Sequence, residues 1–220
     1  MTSTSRPTWD TILFDLDGTL VDSVELTVSS FEHACLMHLG QAPSRAWIAG
    51  TMGRPLREAL ADVAPDRLDD LFAAYVEHHD AHHDELLRPY PDALVAVRAL
   101  HEGGTRLGLV TSKRGVAARR ALDHYALLDL FSIILTFEDT VQHKPLPDPL
   151  LEAAHRLDVP PGDLLYVGDS IHDVFAAKAA GMPVAAVLWG AGTAPELRAL
   201  APDLLLRDAG ELLALGHSYR

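Results

Sequence analysis

Five short apolar runs alternate with alanine-rich amphipathic stretches along this chain, and that alternation limits its fold most. The runs are Thr11-Ile12-Leu13-Phe14, Leu107-Gly108-Leu109-Val110, Ile133-Ile134-Leu135, Leu164-Leu165-Tyr166-Val167 and Val184-Ala185-Ala186-Val187-Leu188. Each is short and continuously apolar, which predicts strands buried on both faces. Asp203-Leu204-Leu205-Leu206 is a candidate sixth. Residues 92–102, 115–125, 147–157 and 171–180 read as the intervening helices, with Gly103, Gly181 and the Pro160-Pro161 pair as breakers. Strand alternating with helix predicts a parallel sheet wrapped on both faces.

The alternation breaks once. Residues 23–88 contain only helical patterns, over 24–39, 55–63 and 66–87, the last with Leu68, Leu71, Phe72 and Tyr75 on one side. At about 65 residues this block is too long for a simple crossover, so it reads as an inserted lid. Asp22-Ser23 and Arg88-Pro89-Tyr90-Pro91 would be its hinges.

Ligands of open parallel sheets sit beyond the carboxyl ends of the strands. Four polar segments fall there: Asp15 and Asp17 after the first run, Thr111-Ser112-Lys113-Arg114 after the second, His143-Lys144-Pro145 beyond the third, and Gly168-Asp169-Ser170-Ile171-His172-Asp173 after the fourth. Together they suit phosphoryl transfer, where positioning and charge neutralisation do most of the catalysis. A carboxylate can attack phosphorus and split one hard displacement into two easier ones. Thr111 or Ser112 can hold the transferring oxygens, and Lys144 can neutralise nucleophile and phosphate. Asp169 and Asp173 share a helix face at their four-residue spacing, and with Asp15 they form an oxygen site suited to Mg2+.

This set resembles the haloacid dehalogenase superfamily of phosphohydrolases. The resemblance rests on Asp15-Leu16-Asp17-Gly18-Thr19, Thr111 or Ser112, Lys144 in Lys144-Pro145-Leu146-Pro147-Asp148-Pro149, and Gly168-Asp169-Ser170 with Asp173. It implies an α/β fold, a Rossmann-like parallel-sheet core of residues 1–22 and 89–220, with residues 23–88 as an inserted α-helical cap. It implies Asp15 as nucleophile and Asp17 as general acid and base. Mg2+ would be held by Asp15, the backbone carbonyl of Asp17 and Asp169, with Asp173 in support. Ser112 resembles the phosphate-binding residue of the second motif, with Thr111 left open by spacing; Lys113 is a further candidate substrate contact.

Within the superfamily the chain is similar to phosphoglycolate phosphatases and to small inorganic pyrophosphatases. The pyrophosphatase likeness rests on Val24-Glu25-Leu26-Thr27-Val28-Ser29-Ser30-Phe31, His82-His83-Asp84-Glu85-Leu86 and Glu138-Asp139 with His143-Lys144-Pro145. Phosphonoacetaldehyde hydrolase chemistry is disfavoured because residues 23–88 contain no lysine, and dehalogenase chemistry because Asp17, Asp169 and Asp173 are all present. A sugar phosphomutase shares the core residues and stays open as an alternative. A catalytically silent phosphate-binding or partner-binding protein is the rival from another class, and retention of Asp15, Asp17, Lys144 and Asp169 speaks against it.

Thr51-Met52-Gly53-Arg54-Pro55-Leu56-Arg57 is the candidate specificity loop. Gly53 permits close approach, Pro55 suits a first helical position, and Arg54 can reach an anionic leaving group; an ordinary loop with a solvated arginine is the competing reading. His78, His79, His82 and His83 have ligand-like i,i+4 spacings, yet their place in the lid reads better as a polar face at the seam with the core.

The formal net charge of -13, with Lys113, Lys144 and Lys178 as the three lysines, excludes a general nucleic-acid binder. A small anionic phosphorylated substrate or pyrophosphate is the expected partner, on a monomer or homodimer. The single cysteine, Cys35, allows no internal disulfide. Residues 1–9 lack the apolar core of a signal peptide, and no run approaches the ~18 apolar residues that span a bilayer, so a cytoplasmic protein with no membrane partner is expected.

Overall fold

The computed structural model describes residues 8–216; most of the N-terminal segment read above for a signal peptide, residues 1–7, lies outside them. The elements run β1 (Thr11–Phe14), β2 (Val21–Asp22), α1 (Val24–Leu39), α2 (Arg45–Ala49), α3 (Leu56–Val63), α4 (Leu68–Leu86), β3 (Arg88–Pro89), α5 (Pro91–Glu102), β4 (Arg106–Val110), α6 (Gly115–His124), β5 (Phe131–Leu135), α7 (Asp148–Leu157), β6 (Leu164–Gly168), α8 (Ile171–Ala179), β7 (Val184–Val187), α9 (Ala194–Ala199) and β8 (Leu204–Leu206). Six strands form one parallel sheet in the order β5-β4-β1-β6-β7-β8. All five expected strands and the candidate sixth are present.

Alternate residues of each central strand enter different cores, as the period of two requires. Ile12 and Phe14 of β1, with Leu165 and Val167 of β6, pack against α5 and α6. Leu13 and Tyr166 pack on the other face against α7 and α8. The chain starts in β1, builds outward through β4 and β5, then crosses back to β6 on the other flank. The carboxyl ends of β1, β4 and β6 therefore meet at a topological switch point.

Helices α1 to α4 enclose a third core, built on Val28, Phe31, Cys35, Ile48, Leu60, Leu71 and Tyr75. This block stands over the switch point. It is joined to the sheet by β2 and β3, an antiparallel ribbon pairing Val21 with Pro89 and Asp22 with Arg88.

Several local expectations change. Pro55 is the N-cap of α3 and not its first helical residue. The helix expected over 66–87 opens as a 3-10 turn, Pro65–Arg67, before α4 begins at Leu68. Arg88, placed in a strandless span, belongs to the ribbon. The short α2 and α9 had no sequence period to mark them. Among the described residues no helix is long and apolar enough to cross a membrane.

Candidate active site

Asp15 follows β1 directly, and its amide donates to the Val167 carbonyl of β6 at 2.8 Å. That bond extends the sheet by one residue and turns the carboxylate into the switch point. Lys144 reaches the same place from the loop after β5. Its side chain is 1 % exposed, and Nζ donates to Asp15 Oδ1 at 2.9 Å, Asp173 Oδ1 at 2.7 Å and the Tyr166 hydroxyl at 3.0 Å. All three ammonium protons are thus used. Tyr166 Oη also lies 3.0 Å from the Val110 carbonyl and from Asp173 Oδ1. Tyr166 passes in sequence as a strand core residue; only the sheet register shows that its hydroxyl ends beside Lys144.

Asp173 is held from its other oxygen as well. Ser170 caps α8 and donates to Asp173 Oδ2 from its amide at 3.0 Å and its hydroxyl at 2.6 Å. Asp169 accepts from Thr19 Oγ1 at 3.2 Å and from the Ala191 amide at 2.7 Å. Gly18 makes this packing possible. It sits at φ +82°, and a Cβ there would lie 2.1 Å from Asp169 Oδ2.

Asp15, Asp169 and Asp173 each offer an oxygen within 4.8 Å of the others, the one such acidic or imidazole group among the described residues. Three buried carboxylates face one ammonium, and the charge does not balance. Desolvation raises the Asp15 pKa to about 7; Lys144 lowers it in part and Asp173 raises it again. Desolvation, then Asp173 and Asp15, push Asp169 well up. Desolvation also raises Asp173, but Lys144 outweighs it and leaves this carboxyl low. Burial works against the Lys144 charge, and Asp15 and Asp173 together overcome it. A divalent cation fits this donor set: hard oxygens, few of them, with an excess of negative charge.

Asp17 diverges from Asp15. Its carboxylate accepts from Lys113 Nζ at 2.9 and 3.0 Å. Desolvation raises its pKa, but Lys113 more than offsets this and leaves it lowered.

Between the sheet and the helical block lies a cavity of about 220 Å³, with Asp15, Asp17, Thr111, Ser112 and Lys113 in its floor. The loop carrying Thr51, Gly53 and Arg54 forms part of its roof. Gly53 lies at φ +87° and presses close to the core, since a Cβ would stand 2.9 Å from Ser170 Oγ. Ser112 Oγ donates to the Gly53 carbonyl at 3.1 Å, whereas Thr111 Oγ1 accepts from the Lys113 amide at 3.2 Å. Arg54 lines the cavity but pairs with Asp62 at 2.9 Å. Arg114 and Arg120 tie α6 to Asp80 and Asp84 of α4.

The histidine row splits by helical face. His79 is buried and lines the cavity, with its pKa driven down to about 3 by desolvation and then by Lys113. His83 is buried beside it, with Nδ1 2.8 Å from Asp84 and Nε2 without a partner. His78 stacks on His82 and on His33. The row forms no metal-ligating group.

A parallel sheet with carboxylates and a lysine converging at its switch point, under a helical block, defines an α/β protein whose candidate site lies at the strand ends. The chain belongs to the haloacid dehalogenase-like hydrolase family, whose profile matches residues 12–187. Pyrophosphatase PpaX from Halalkalibacterium halodurans is 34% identical over 204 residues, covering 93% of this chain and 95% of that protein. A structure from Bacteroides fragilis, provisionally named a haloacid dehalogenase-like hydrolase, superposes with a TM-score of 0.87 at 31% identity, over 93% of this chain and 100% of that one. A predicted phosphoglycolate phosphatase from Haemophilus somnus gives a TM-score of 0.81 at 26% identity, over 93% and 96% of the two chains.

Proposed function

We propose that this protein is a Mg2+-dependent phosphohydrolase that works through an aspartyl-phosphate on a small phosphorylated metabolite. The observation that carries the reading is the buried excess of negative charge on Asp15, Asp169 and Asp173 around Lys144, opening into the cavity floor. Mg2+ would be held by Asp15, the Asp17 carbonyl and Asp169, with Asp173 in support, and would supply neutralising charge to the phosphoryl oxygens.

An Asp15 oxygen attacks phosphorus, the bond from phosphorus to the leaving oxygen breaks, and Asp17 gives that oxygen a proton. Water then attacks the phosphoryl group on Asp15 while Asp17 accepts the water proton, releasing phosphate and restoring Asp15. The Lys113 pair holds Asp17 ionised, the state needed to accept that proton; donation in the first half requires the pair to part and Asp17 to take up a proton from solvent before the substrate's leaving oxygen departs. Lys144 neutralises Asp15 and the incoming phosphate. Ser112, or Thr111 beside it, would hold a phosphoryl oxygen once the Gly53 contact is released. Residues 23–88 would act as a cap on the core formed by 1–22 and 89–220, closing to exclude water from the first half. Gly53 and Arg54 would contact the leaving group.

The names of the relatives suggest two leaving groups, the phosphate of pyrophosphate and the glycolate of phosphoglycolate. The direct test is release of phosphate from a generic aryl phosphate with Mg2+ and with EDTA. Turnover in Mg2+ that EDTA abolishes and Asp15→Asn removes is expected. Turnover indifferent to EDTA, or persisting in Asp15→Asn, overturns the mechanism.

A further inference from the structure

The walls of the cavity differ from its floor. Above Asp15 and Asp17, the lining comes chiefly from Phe31, Leu56, Phe72, Tyr75, Ala117 and Phe137. Phe31 and Tyr75 are anchored edge to face, 6.4 Å between ring centroids, so this wall is fixed by the helical block's own core. Phe137 stacks on His143 at 4.1 Å, which holds the opposite wall. A dry apolar cavity of about 150 Å³ already accepts benzene. A cavity of about 220 Å³ has room for such a group and a short link to phosphate.

The charges in these walls are already balanced. Four Lys and Arg side chains line the cavity among the described residues. Lys113 holds Asp17, Arg54 holds Asp62 at 2.9 Å, and Arg114 holds Asp80 at 3.2 Å. Arg57 pairs with Asp69 and lies 4.8 Å over the Phe72 ring. His79 is neutral at physiological pH. A second phosphate or a carboxylate brought here would be desolvated against aromatic carbon, and each cation it recruited would first have to leave a carboxylate partner, a modest cost for the partly exposed arginine pairs and a larger one for Lys113.

We propose that the leaving group of the physiological substrate is an uncharged, carbon-rich alcohol of roughly benzyl size, seated against Phe31, Phe72, Tyr75 and Phe137. The proposal rests on the phosphohydrolase reading and narrows it, away from pyrophosphate and phosphoglycolate. A pocket of this kind discriminates by area excluded from water, and one apolar group in such a site is worth about 10- to 200-fold in kcat/KM.

The experiment compares benzyl phosphate, 2-phosphoglycolate and pyrophosphate as substrates of the full chain with Mg2+. Benzyl alcohol is no better a leaving group than glycolate and a far poorer one than phosphate, so chemical reactivity does not favour the proposal. Benzyl phosphate is expected to exceed 2-phosphoglycolate by at least about tenfold in kcat/KM, and to have a lower KM than pyrophosphate. Phe72→Ala is expected to reduce the benzyl-to-phosphoglycolate ratio by about tenfold. Independently of any variant, benzylphosphonate should inhibit the wild-type protein at least about tenfold more tightly than phosphonoacetate. A preference for pyrophosphate or 2-phosphoglycolate, or a Phe72→Ala loss equal for both esters, overturns the leaving-group proposal and leaves the phosphohydrolase standing. Hydrolysis of none of the three while the aryl phosphate is still turned over with Mg2+ overturns the leaving-group proposal alone; loss of the aryl phosphatase activity as well removes the phosphohydrolase reading, and this inference with it.

Discussion

Asp15 and Asp17 lie two residues apart on one loop, and each is gripped by a lysine, yet their environments drive them in opposite directions. Asp15 sits beneath the sheet's end with two other carboxylates for company, and its pKa rises to about 7. Asp17 sits in the cavity floor facing Lys113 without a competing acid on that ammonium, and its pKa falls. Alternation along an extended loop sends neighbours-but-one toward similar directions; here the turn at Gly18 and the separate reach of Lys144 and Lys113 part them. The proposed chemistry needs the reverse of each: a cation beside Asp15 would lower its pKa and keep the nucleophile ionised, while Asp17 must take up a proton before it can serve as an acid.

The sharpest way to break that contrast is to remove the charges one at a time. Asp15→Asn should lower turnover by about 10⁴-fold or more, with far-UV circular dichroism unchanged; substantial remaining activity would end its role as nucleophile. Lys144→Ala leaves buried carboxylates without their cation and should cost about 3–5 kcal/mol in urea unfolding. Lys113→Ala, in the cavity floor with a single partner, should cost clearly less, and an equal loss would erase the distinction between the two lysines. Mg2+ at about 100 times its Kd should raise stability by about 2.7 kcal/mol, read as a higher Tm. That gain should vanish in Asp169→Asn, and an undiminished gain would move the metal elsewhere. Tyr166→Phe removes one hydroxyl from the Lys144 network at about 1–3 kcal/mol. The smallest effect belongs to Arg120→Ala, whose pair with Asp84 is half exposed. It should change stability by under about 1 kcal/mol, and any effect on KM should fade with added salt.

The parts legible in the sequence were those with a period or a position. Strands buried on both faces announce themselves as unbroken apolar runs, and the rule that ligands gather at strand carboxyl ends brings Asp15, Lys144, Asp169 and Asp173 together from sequence alone. Tyr166 was hidden because a strand residue's chemistry depends on which neighbour its register supplies. Lys113 reads in sequence as a substrate contact, and its bond to Asp17 depends on a loop whose path no local pattern sets. The cavity's aromatic wall was equally silent. Phe31, Phe72 and Phe137 come from α1, α4 and the 3-10 turn after β5, and each alone passes for ordinary core. The β2–β3 ribbon, two residues per strand, is too short to carry any alternation.

That ribbon has a consequence for how such a molecule changes over generations. Because Asp22 pairs with Arg88, the chain departs from the sheet and returns to it through a single narrow doorway. What hangs beyond the doorway can change in length at little closure cost, since that cost grows only slowly with loop length, but an exchanged block must also replace the contacts of Gly53 with Ser112 and of Asp80 and Asp84 with Arg114 and Arg120. A grafted helical block joined at these four residues and supplying those contacts would be expected to retune selectivity while the carboxylates beneath it keep their places.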